Sequence, residues 1–462
     1  MEFKPHDYQR AAIDFIKKNP SSALLLDCGL GKTAIVLTGI KEMKLRLVLV
    51  VAPKLVVDSW TREIAKWDHL KGMTAVAIKD DADKRMAAIK TPATIHIISR
   101  DNIAWFASFC NLNQFDMIVM DESSSFKSED SARTQALLNL PHPRKVIMTG
   151  TPMPKDIEDL FSQYKILDQG KRLGRELTDF RRMFMVQDPN NRRNYKPLPG
   201  ADKTVFRRVK DITISMKSED HLQLPPLTTV RNEVAMTENE QVVFNHLARN
   251  YCLEFKGVEL TVENSGVLSN KLAQLSNGFF YDENKVAHTF HTHKVETLEA
   301  LLEATVGLGE DVIVAYNYDE DKRRIEQVCQ ELSYPCFDLK EGKDVERFIA
   351  PGYGRVAMAH PRSAGMGLNL QEYCHRLIWY SLPYSYEEFY QTLKRVFRQG
   401  QKEHTFIHTI ECLNSYDQRI RDIVNRKGDC NEALLQTTKW ITSSAWSWTA
   451  QESFIEDFMK TA

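Results

Sequence analysis

The 462-residue sequence has little of the chemistry that marks secreted, zinc-binding or membrane-spanning proteins. Its eight cysteines are scattered and form no C-x-x-C pair, which argues against a structural zinc site and a disulfide framework and fits a reducing compartment. No apolar run approaches the roughly 20 residues that a membrane-spanning helix needs. The first residues also lack the basic and then apolar pattern of a signal peptide. We therefore expect a cytoplasmic protein, or a nuclear one in a eukaryote.

Net charge is nearly absent as well, because the formal value is −1. Overall charge therefore gives no hint of a polyanionic partner, and any such hint must come from local clustering. The composition, 43% hydrophobic and 27% charged, is ordinary for a soluble globular protein. The length is too great for one ordinary core, so it predicts two large lobes with smaller additions.

Short apolar runs alternate with helix-like segments up to about residue 160 and again from about residue 296. This alternation predicts an α/β fold with buried parallel sheets. We assign 1–160 to a first lobe, 161–295 to a helical insertion or linker with a basic segment, 296–425 to a second lobe and 426–462 to a C-terminal helical extension. The predicted strands are Ala23–Leu26, Leu47–Val51, Ile95–Ile98, Met117–Met120, Lys145–Met148, Asp311–Ala315, Val356–Ala359 and Arg376–Trp379.

A glycine-rich loop follows the first predicted strand and leads into a helix. It includes Gly29, Gly31, Lys32 and Thr33. Glycines let backbone N–H groups approach phosphate oxygens closely, and the helix N-terminus adds positive potential. We predict that Lys32 reaches the β and γ phosphates of ATP and that Thr33 ligates Mg²⁺. The alternative is an ordinary turn that enters a helix.

Two adjacent carboxylates, Asp121 and Glu122, follow another predicted strand. They suit a magnesium site and its attacking water, with Asp121 on the metal side and Glu122 orienting or deprotonating the nucleophile. Taken alone, such a pair is usually a solvated loop. The glycine loop, this pair and Thr149 to Thr151 each follow a strand, so we expect them at one edge of the sheet.

Arg395 and Arg398 lie three residues apart, which is about one helical turn. We predict that both act as arginine fingers that stabilise charge on the transferring γ-phosphoryl group. The alternative is an exposed basic face of a helix.

These motifs, taken in order, resemble the Swi/Snf-type ATPases of helicase superfamily two, in particular their minimal bacterial and phage members. The resemblance runs from Tyr8 to about Ile420 and is most specific in the Q-x-x-x-R-x-x-R-x-G-Q pattern from Gln391 to Gln401. It implies two RecA-like lobes, with ATP and Mg²⁺ bound between them. One departure concerns coupling between ATP and DNA, because Ser124 stands where the family usually has a histidine.

The resemblance also implies roles for individual residues. Gln9 resembles the adenine-reading glutamine, and Gly367 is expected at the nucleotide. Thr149, Gly150, Thr151 and Gln391 are expected to couple the lobes. The DNA contacts that it implies are Pro53, Lys54, Ser99, Arg100, Gly365 and Asn369.

A basic segment lies between Lys171 and Lys210, with twelve Lys or Arg residues against four Asp or Glu. Its net charge of +8 leaves −9 for the rest of the chain, and such segregation suits contact with backbone phosphates. From this segment we predict that Arg181, Arg182, Arg192 and Arg193 bind DNA. The alternative is a solvated helical insertion.

Two further features have weaker signals. The histidine cluster of His288, His291 and His293 lacks an obvious fourth ligand, so we expect a surface loop or a DNA-facing segment there. The aromatic residues of the last forty positions predict a helix that packs on the body or, alternatively, a tail that binds a protein partner.

Together these features predict an ATP-dependent translocase on double-stranded or branched DNA. Two alternatives stay open at this point. One is a helicase that separates strands, and the other is a nucleotide-gated DNA-binding switch with negligible turnover.

Overall fold

The computed structural model describes residues 1–138, 144–189, 191–250, 252–255, 258–262, 265–352, 354–364 and 369–437. Up to residue 216 the chain alternates strands and helices. The strands are β1 (Ser21–Leu26), β2 (Val48–Ala52), β3 (Ala75–Ile78), β4 (Ile95–Ser99), β5 (Met117–Asp121), β6 (Lys145–Thr149), β7 (Met185–Asp188), β8 (Asn191–Pro197) and β9 (Thr213–Met216). The helices are α1 (Asp7–Lys18), α2 (Lys32–Glu42), α3 (Val57–Lys66), α4 (Ala82–Lys90), α5 (Ile103–Ala107), α6 (Ala132–Leu138), α7 (Asp159–Asp168), α8 (Leu177–Phe184) and α9 (Ala201–Val209).

Seven of these strands form one sheet in the order β3-β4-β2-β5-β6-β1-β9, and all of its neighbours are parallel. β7 and β8 form a separate antiparallel hairpin. The central strands are buried on both faces because helices cover each side. Leu25 and Val51 point into one core, while Leu24 and Val50 point into the other, as the period of two requires.

The rest of the chain repeats the pattern. Its strands are β10 (Leu227–Val234), β11 (Cys252–Phe255), β12 (Val258–Thr261), β13 (Phe279–Tyr281), β14 (Ala287–Thr289), β15 (Val312–Ala315), β16 (Cys336–Asp338), β17 (Val356–Ala359), β18 (Arg376–Trp379) and β19 (Thr405–Cys412). Its helices are α10 (Ser218–His221), α11 (Glu238–Asn250), α12 (Ser265–Ser276), α13 (His293–Glu303), α14 (Asp319–Glu331), α15 (Gly342–Ile349), α16 (Pro361–Ala364), α17 (Tyr386–Val396) and α18 (Tyr416–Thr437).

A second parallel sheet runs in the order β10-β19-β18-β15-β17-β16. We call the elements up to β9 lobe one and those from β10 onward lobe two. The short helix α10 joins them. The last described helix, α18, packs on α17 and returns to α9 of lobe one.

The predicted fold class is confirmed: two RecA-like lobes, each with a parallel sheet. Every strand predicted from the sequence is present, with ends shifted by no more than two residues. The boundaries at 160, 295 and 425 stay predictions. The 161–295 segment contains helices α8 to α12, and it also contains β9 and β10, which complete the edges of the two sheets.

In the part of the chain that the structure describes, no helix is both long enough and apolar enough to cross a membrane. The aromatic tail predicted as a packed helix or a partner site lies beyond residue 437, outside the described residues.

Candidate active site

The glycine loop lies between β1 and α2, at the carboxyl end of a central strand. Gly29 has a φ of 95° and Gly31 a φ of 78°, so both positions need a residue without a Cβ. Lys32 begins the helix, and its Nζ donates to the Leu26 carbonyl oxygen at 2.7 Å and to that of Asp27 at 3.3 Å. The ammonium group therefore lies over the loop, beside the positive end of α2. A glycine loop at a helix N-terminus is a common phosphate-binding arrangement in proteins, so the predicted role of the loop fits its geometry.

Gln9 of α1 closes one side of the loop. Its Nε2 donates to the Leu30 carbonyl oxygen at 3.3 Å, and a Cβ on Gly31 would come within 2.8 Å of the same nitrogen. Its Oε1 accepts the His6 backbone N–H at 3.0 Å, which fixes the amide. The predicted purine-reading glutamine is thus adjacent to the predicted phosphate loop, and its role stays a prediction.

The carboxylate pair follows β5. The buried Asp121 accepts hydrogen bonds from Trp60 Nε1 at 3.0 Å and from the Glu122 backbone N–H at 2.9 Å. Burial and the neighbouring Glu122 carboxylate raise the pKa of Asp121 to about 7. Glu122 has a φ of 48°, a left-handed conformation that only a few per cent of non-glycine residues adopt. The Thr149 hydroxyl donates to Glu122 Oε2 at 3.3 Å.

A magnesium ion fits these groups chemically. Mg²⁺ prefers oxygen ligands and is usually held by one or two carboxylates together with substrate phosphates. Asp121 supplies a buried carboxylate whose raised pKa reflects charge that a cation would neutralise. Among the described residues no group of three His, Cys, Asp or Glu side chains could hold a metal by itself. Asp121 and Thr33 would therefore share the ion with a nucleotide.

The arginines approach from lobe two. The sequence places both on one helical turn, but α17 ends at Val396, so Arg398 lies beyond the helix. Arg398 nevertheless lies against the loop: a Cβ on Gly29 would be 3.6 Å from its Cβ and 3.8 Å from its Nε. Burial lowers the pKa of both guanidinium groups, and Glu122 is among the groups that oppose this for Arg395. The two lobes thus meet at the predicted phosphate loop.

Asn369, predicted to contact DNA, lies beside an arginine. Its Oδ1 accepts Arg398 Nη1 at 2.6 Å, although the residue itself is exposed. Its predicted DNA role stays untested. Gly365 and Gly367, from the same motif, lie outside the described residues.

Glu387 of α17 is a residue that the sequence did not point to. The Ser124 hydroxyl of lobe one donates to Glu387 Oε1 at 2.7 Å, and Gln391 Nε2 donates to the same oxygen at 3.3 Å. Burial and the nearby Glu122 raise the pKa of Glu387 to about 7. The serine that replaces the usual histidine therefore joins the two lobes, and the predicted coupling residue Gln391 touches the same group.

The predicted coupling segment on lobe one also lies beside the loop. The Thr151 backbone N–H donates to Thr149 Oγ1 at 3.1 Å. A Cβ on Gly150 would be 3.5 Å from the Leu26 carbonyl oxygen and 3.6 Å from the Cys28 nitrogen. The glycine loop, the carboxylate pair and this segment therefore meet at one edge of the sheet.

The first predicted DNA contacts follow two neighbouring strands. Pro53 and Lys54 come after β2, and Ser99 and Arg100 come at the end of β4, which pairs with β2. Lys54 is exposed, whereas Ser99 is buried and its Oγ accepts the Asp101 backbone N–H at 3.3 Å. All of them lie at the carboxyl edge that carries the phosphate loop.

The basic segment is partly neutralised by its surroundings. Arg181 makes two 2.8 Å hydrogen bonds to Glu158 and stacks on the Tyr195 ring. Arg182, with 78% of its side chain exposed, pairs with Asp179 at 3.0 Å. The side chains of Arg192 and Arg193, in β8, lie outside the described set.

The histidine cluster is not a surface loop. His291 is buried, His288 Nε2 lies 2.9 Å from an Asp282 oxygen and His293 Nε2 lies 2.9 Å from a Glu240 oxygen. Burial lowers the pKa of His291 to about 3.

Comparison with known proteins gives one family. Residues 8–294, more than half of the chain, match the SNF2-related domain. Protein p41 of Acyrthosiphon pisum secondary endosymbiont phage 1 is 29% identical over 95% of this chain and 99% of its own length.

The DNA repair and recombination protein RAD54-like of Gallus gallus is 22% identical over 80% of this chain. Its counterpart from Drosophila pseudoobscura pseudoobscura is 22% identical over 99%. The chain spans only 57% and 65% of the lengths of these two relatives. Among solved structures, the SWI2/SNF2 ATPase core of Sulfolobus solfataricus in complex with dsDNA aligns over 95% of this chain and 94% of its own, at 17% identity and a TM-score of 0.45.

Proposed function

The chain belongs to the SNF2-related family, and from this premise we propose that it is an ATP-driven motor that moves along double-stranded DNA. One observation carries the proposal: Arg398 of lobe two lies against Gly29 of the phosphate loop of lobe one. A nucleotide on that loop therefore touches groups of both lobes. Hydrolysis changes the charge between the lobes, and their separation is the mechanical step.

The reaction is transfer of the γ-phosphoryl group of ATP to water. Lys32 and the N-terminus of α2 bind the β and γ phosphates. Glu122, held by Thr149, orients or deprotonates the attacking water. Arg395 and Arg398 stabilise charge that develops on the transferred group. Mg²⁺, when bound, supplies further charge neutralisation on the phosphates.

Two observations support DNA as the substrate, namely the position of the predicted DNA contacts and the names of the related proteins. The predicted contacts after β2 and β4 share the sheet edge with the nucleotide loop, so a backbone bound there would move with the lobes. RAD54-like relatives are named as DNA repair and recombination proteins. We therefore propose double-stranded or branched DNA as the substrate, and remodelling of DNA or of protein–DNA complexes as the task. A protein partner on the aromatic tail is a separate proposal.

ATPase measurements with no DNA, single-stranded DNA, duplex DNA and RNA test the proposal directly. We expect duplex DNA to stimulate turnover most. Glu122→Gln is the matched control, because it keeps the shape of the side chain and removes the charge that handles water.

Movement needs its own measurement. The protein should displace a third strand from a triplex, since that strand lies in the path of a motor on duplex DNA, and should leave a long paired strand in place. Robust unwinding of a forked duplex would favour a helicase that separates strands. DNA binding that responds to ATP with negligible turnover would favour a nucleotide-gated switch, and stimulation by RNA alone would reject every DNA assignment.

A further inference from the structure

Helix α17 reaches the phosphate loop through a second set of groups that no motif assigns. Tyr390 and Lys394 lie one turn apart on this helix, and both meet Asp27, two residues before Gly29. The Tyr390 hydroxyl donates to Asp27 Oδ1, and Lys394 Nζ lies 3.5 Å from Asp27 Oδ2. A carboxylate of lobe one is thus paired with a cation of lobe two.

A third segment completes the cluster. Ser218, the first residue of α10, donates to Asp27 Oδ2 from its backbone N–H at 3.1 Å and from its Oγ at 2.8 Å. Lys394 Nζ donates to the same Oγ at 3.0 Å. The Lys394 ammonium also lies 5.2 Å from the centre of the Tyr390 ring. The cluster therefore ties the loop, the lobe connection and α17 together.

Burial makes the cluster sensitive to its partners. Asp27 and Lys394 are each about 4% exposed, and Ser218 is fully buried. A buried charge that loses its partner is costly, so each ion depends on the other while the lobes are closed. Burial opposes ionisation of Asp27, but Lys394, Tyr390 and Ser218 together hold the pKa of its carboxyl below the usual range. If the lobes separated, water would replace these partners and the ion pair would break.

The cluster also sits at the point where the two halves of the active site are joined. Lys394 precedes Arg395 directly and Arg398 by four residues. Asp27 precedes Gly29 by two. Holding Asp27 against Lys394 therefore fixes the distance between the backbone that cradles phosphate and the backbone that carries the arginines.

We propose that Tyr390 and Lys394 are positioning residues, which lock α17 onto Asp27 so that Arg398 is held in register with the phosphate loop. The proposal rests on the proposed function in one respect, since it takes Arg398 to act on the phosphates. Tyr390 contacts Asp27, and Lys394 contacts Asp27 and Ser218. They act through the arginine, and a displacement of about 1 Å at such a group can cost a large factor in rate.

The test uses the full chain with saturating duplex DNA. Lys394→Met keeps the length of the side chain and removes its charge. We expect kcat to fall by on the order of tenfold to a hundredfold, with the KM for ATP changed much less, because the contact is made only when the lobes close. Lys343→Met, an exposed lysine on helix α15 of the same lobe, is the matched control and should leave kcat unchanged.

Two further variants separate positioning from a general structural role. Arg398→Ala should cost far less in the Lys394→Met background than in the parent protein, because the arginine is already out of register. Tyr390→Phe should lower kcat severalfold with the fold intact. If Lys394→Met does not fold, the kcat of Tyr390→Phe tests the proposal instead.

The outcomes are distinct. Unchanged kcat in both Lys394→Met and Tyr390→Phe would overturn the proposal, and so would full additivity of Arg398→Ala with Lys394→Met. A parent protein without ATPase activity would instead reject the proposed function. If Arg398→Ala is impaired while Lys394→Met and Tyr390→Phe are both fully active, the ATPase assignment stands and the positioning role alone is rejected.

Discussion

Replacing Arg398 by alanine tests the site at its most specific contact. The side chain lies against Gly29, and Asn369 Oδ1 holds its Nη1 at 2.6 Å, so the guanidinium is oriented before any nucleotide reaches it. An arginine finger is worth on the order of 10³ or more in kcat. At about 1.4 kcal/mol for each factor of ten, this corresponds to about 4 kcal/mol of transition-state stabilisation.

The assay is steady-state ATP hydrolysis at saturating duplex DNA, with ATP affinity measured separately. Affinity should fall much less than kcat, because the arginine acts mainly on charge that exists only in the transition state. Asn369→Ala should lower kcat by a smaller factor, since the charge stays and only its hydrogen-bond anchor is lost. Arg347→Ala removes an exposed arginine on α15 and is the matched control.

A mutant with normal turnover once DNA is saturating, and with weaker DNA binding, would refute the reasoning. Arg398 would then be a DNA contact. Equal losses in Arg398→Ala and Arg347→Ala would likewise show that position beside Gly29 confers no catalytic role.

Three other predictions concern the loop and carboxylate residues, His291 and the basic segment. Lys32→Ala should lose ATP binding, and Glu122→Gln should bind ATP without hydrolysing it. Near-normal turnover in Glu122→Gln would contradict the role assigned to Glu122. Burial lowers the pKa of His291 to about 3 from an ordinary 6.5. Below about pH 6.5 the unfolded chain therefore binds a proton at this histidine that the folded protein does not bind, and the free energy of unfolding falls. At pH 5 this loss is about 2 kcal/mol, and urea unfolding of His291→Gln between pH 7 and 5 should show a shallower loss than the parent. Neutralising the four predicted DNA-binding arginines of the basic segment should flatten the plot of log K against log salt by roughly 0.9 per lost phosphate contact, and an unchanged slope would make the segment a solvated surface. The four are Arg181, Arg182, Arg192 and Arg193.

The sequence predicted most of the core strands because they are short apolar runs buried on both faces, although it missed β19 inside the second sheet. It missed β10, whose residues alternate between exposed and half-buried as far as Val234. An edge strand with one open side needs no continuous apolar run, so the signal that reveals β1 or β5 is absent. β9 is only four residues long and contains two hydroxyl side chains, Thr213 and Ser215. β9 is held at the edge of the sheet by backbone hydrogen bonds to β1, and the amino-acid composition of so short a segment does not predict that pairing.

Charge counting along the chain overstated the basic segment for an equally physical reason. Arg181 is paired with Glu158, and Arg172 with Asp168 and Asp211. All three carboxylates fall outside the interval from 171 to 210, so a charge count over that interval does not include them. We expect Arg182, which is more exposed, to contribute more to the salt slope than Arg181 does.

The glycine loop, the carboxylate pair and the coupling segment of lobe one could be predicted because each follows a strand, and parallel strands bring their carboxyl ends to one edge. The residues of lobe one that α17 contacts could not be predicted from the sequence. Its contacts with lobe one fall at Glu387, Tyr390, Lys394 and, just past the helix, Arg398. These intervals of three and four residues place them along one side, but spacing alone does not say which groups lie opposite.

The structure supplies those groups, and their order has a mechanical consequence. Along α17, Glu387 meets Ser124 after β5, whereas Lys394 meets Asp27 after β1, and only β6 separates these two strands in the sheet. The helix therefore crosses the strand ends from the carboxylate pair to the phosphate loop. A motion that lifts lobe two must release a hydrogen bond at one end and a buried ion pair at the other. Of the two contacts, the buried ion pair depends more strongly on exclusion of water. Because the arginines lie next to Lys394, separation that begins at the Glu387 end leaves them in place longest, whereas separation that begins at Lys394 withdraws them first.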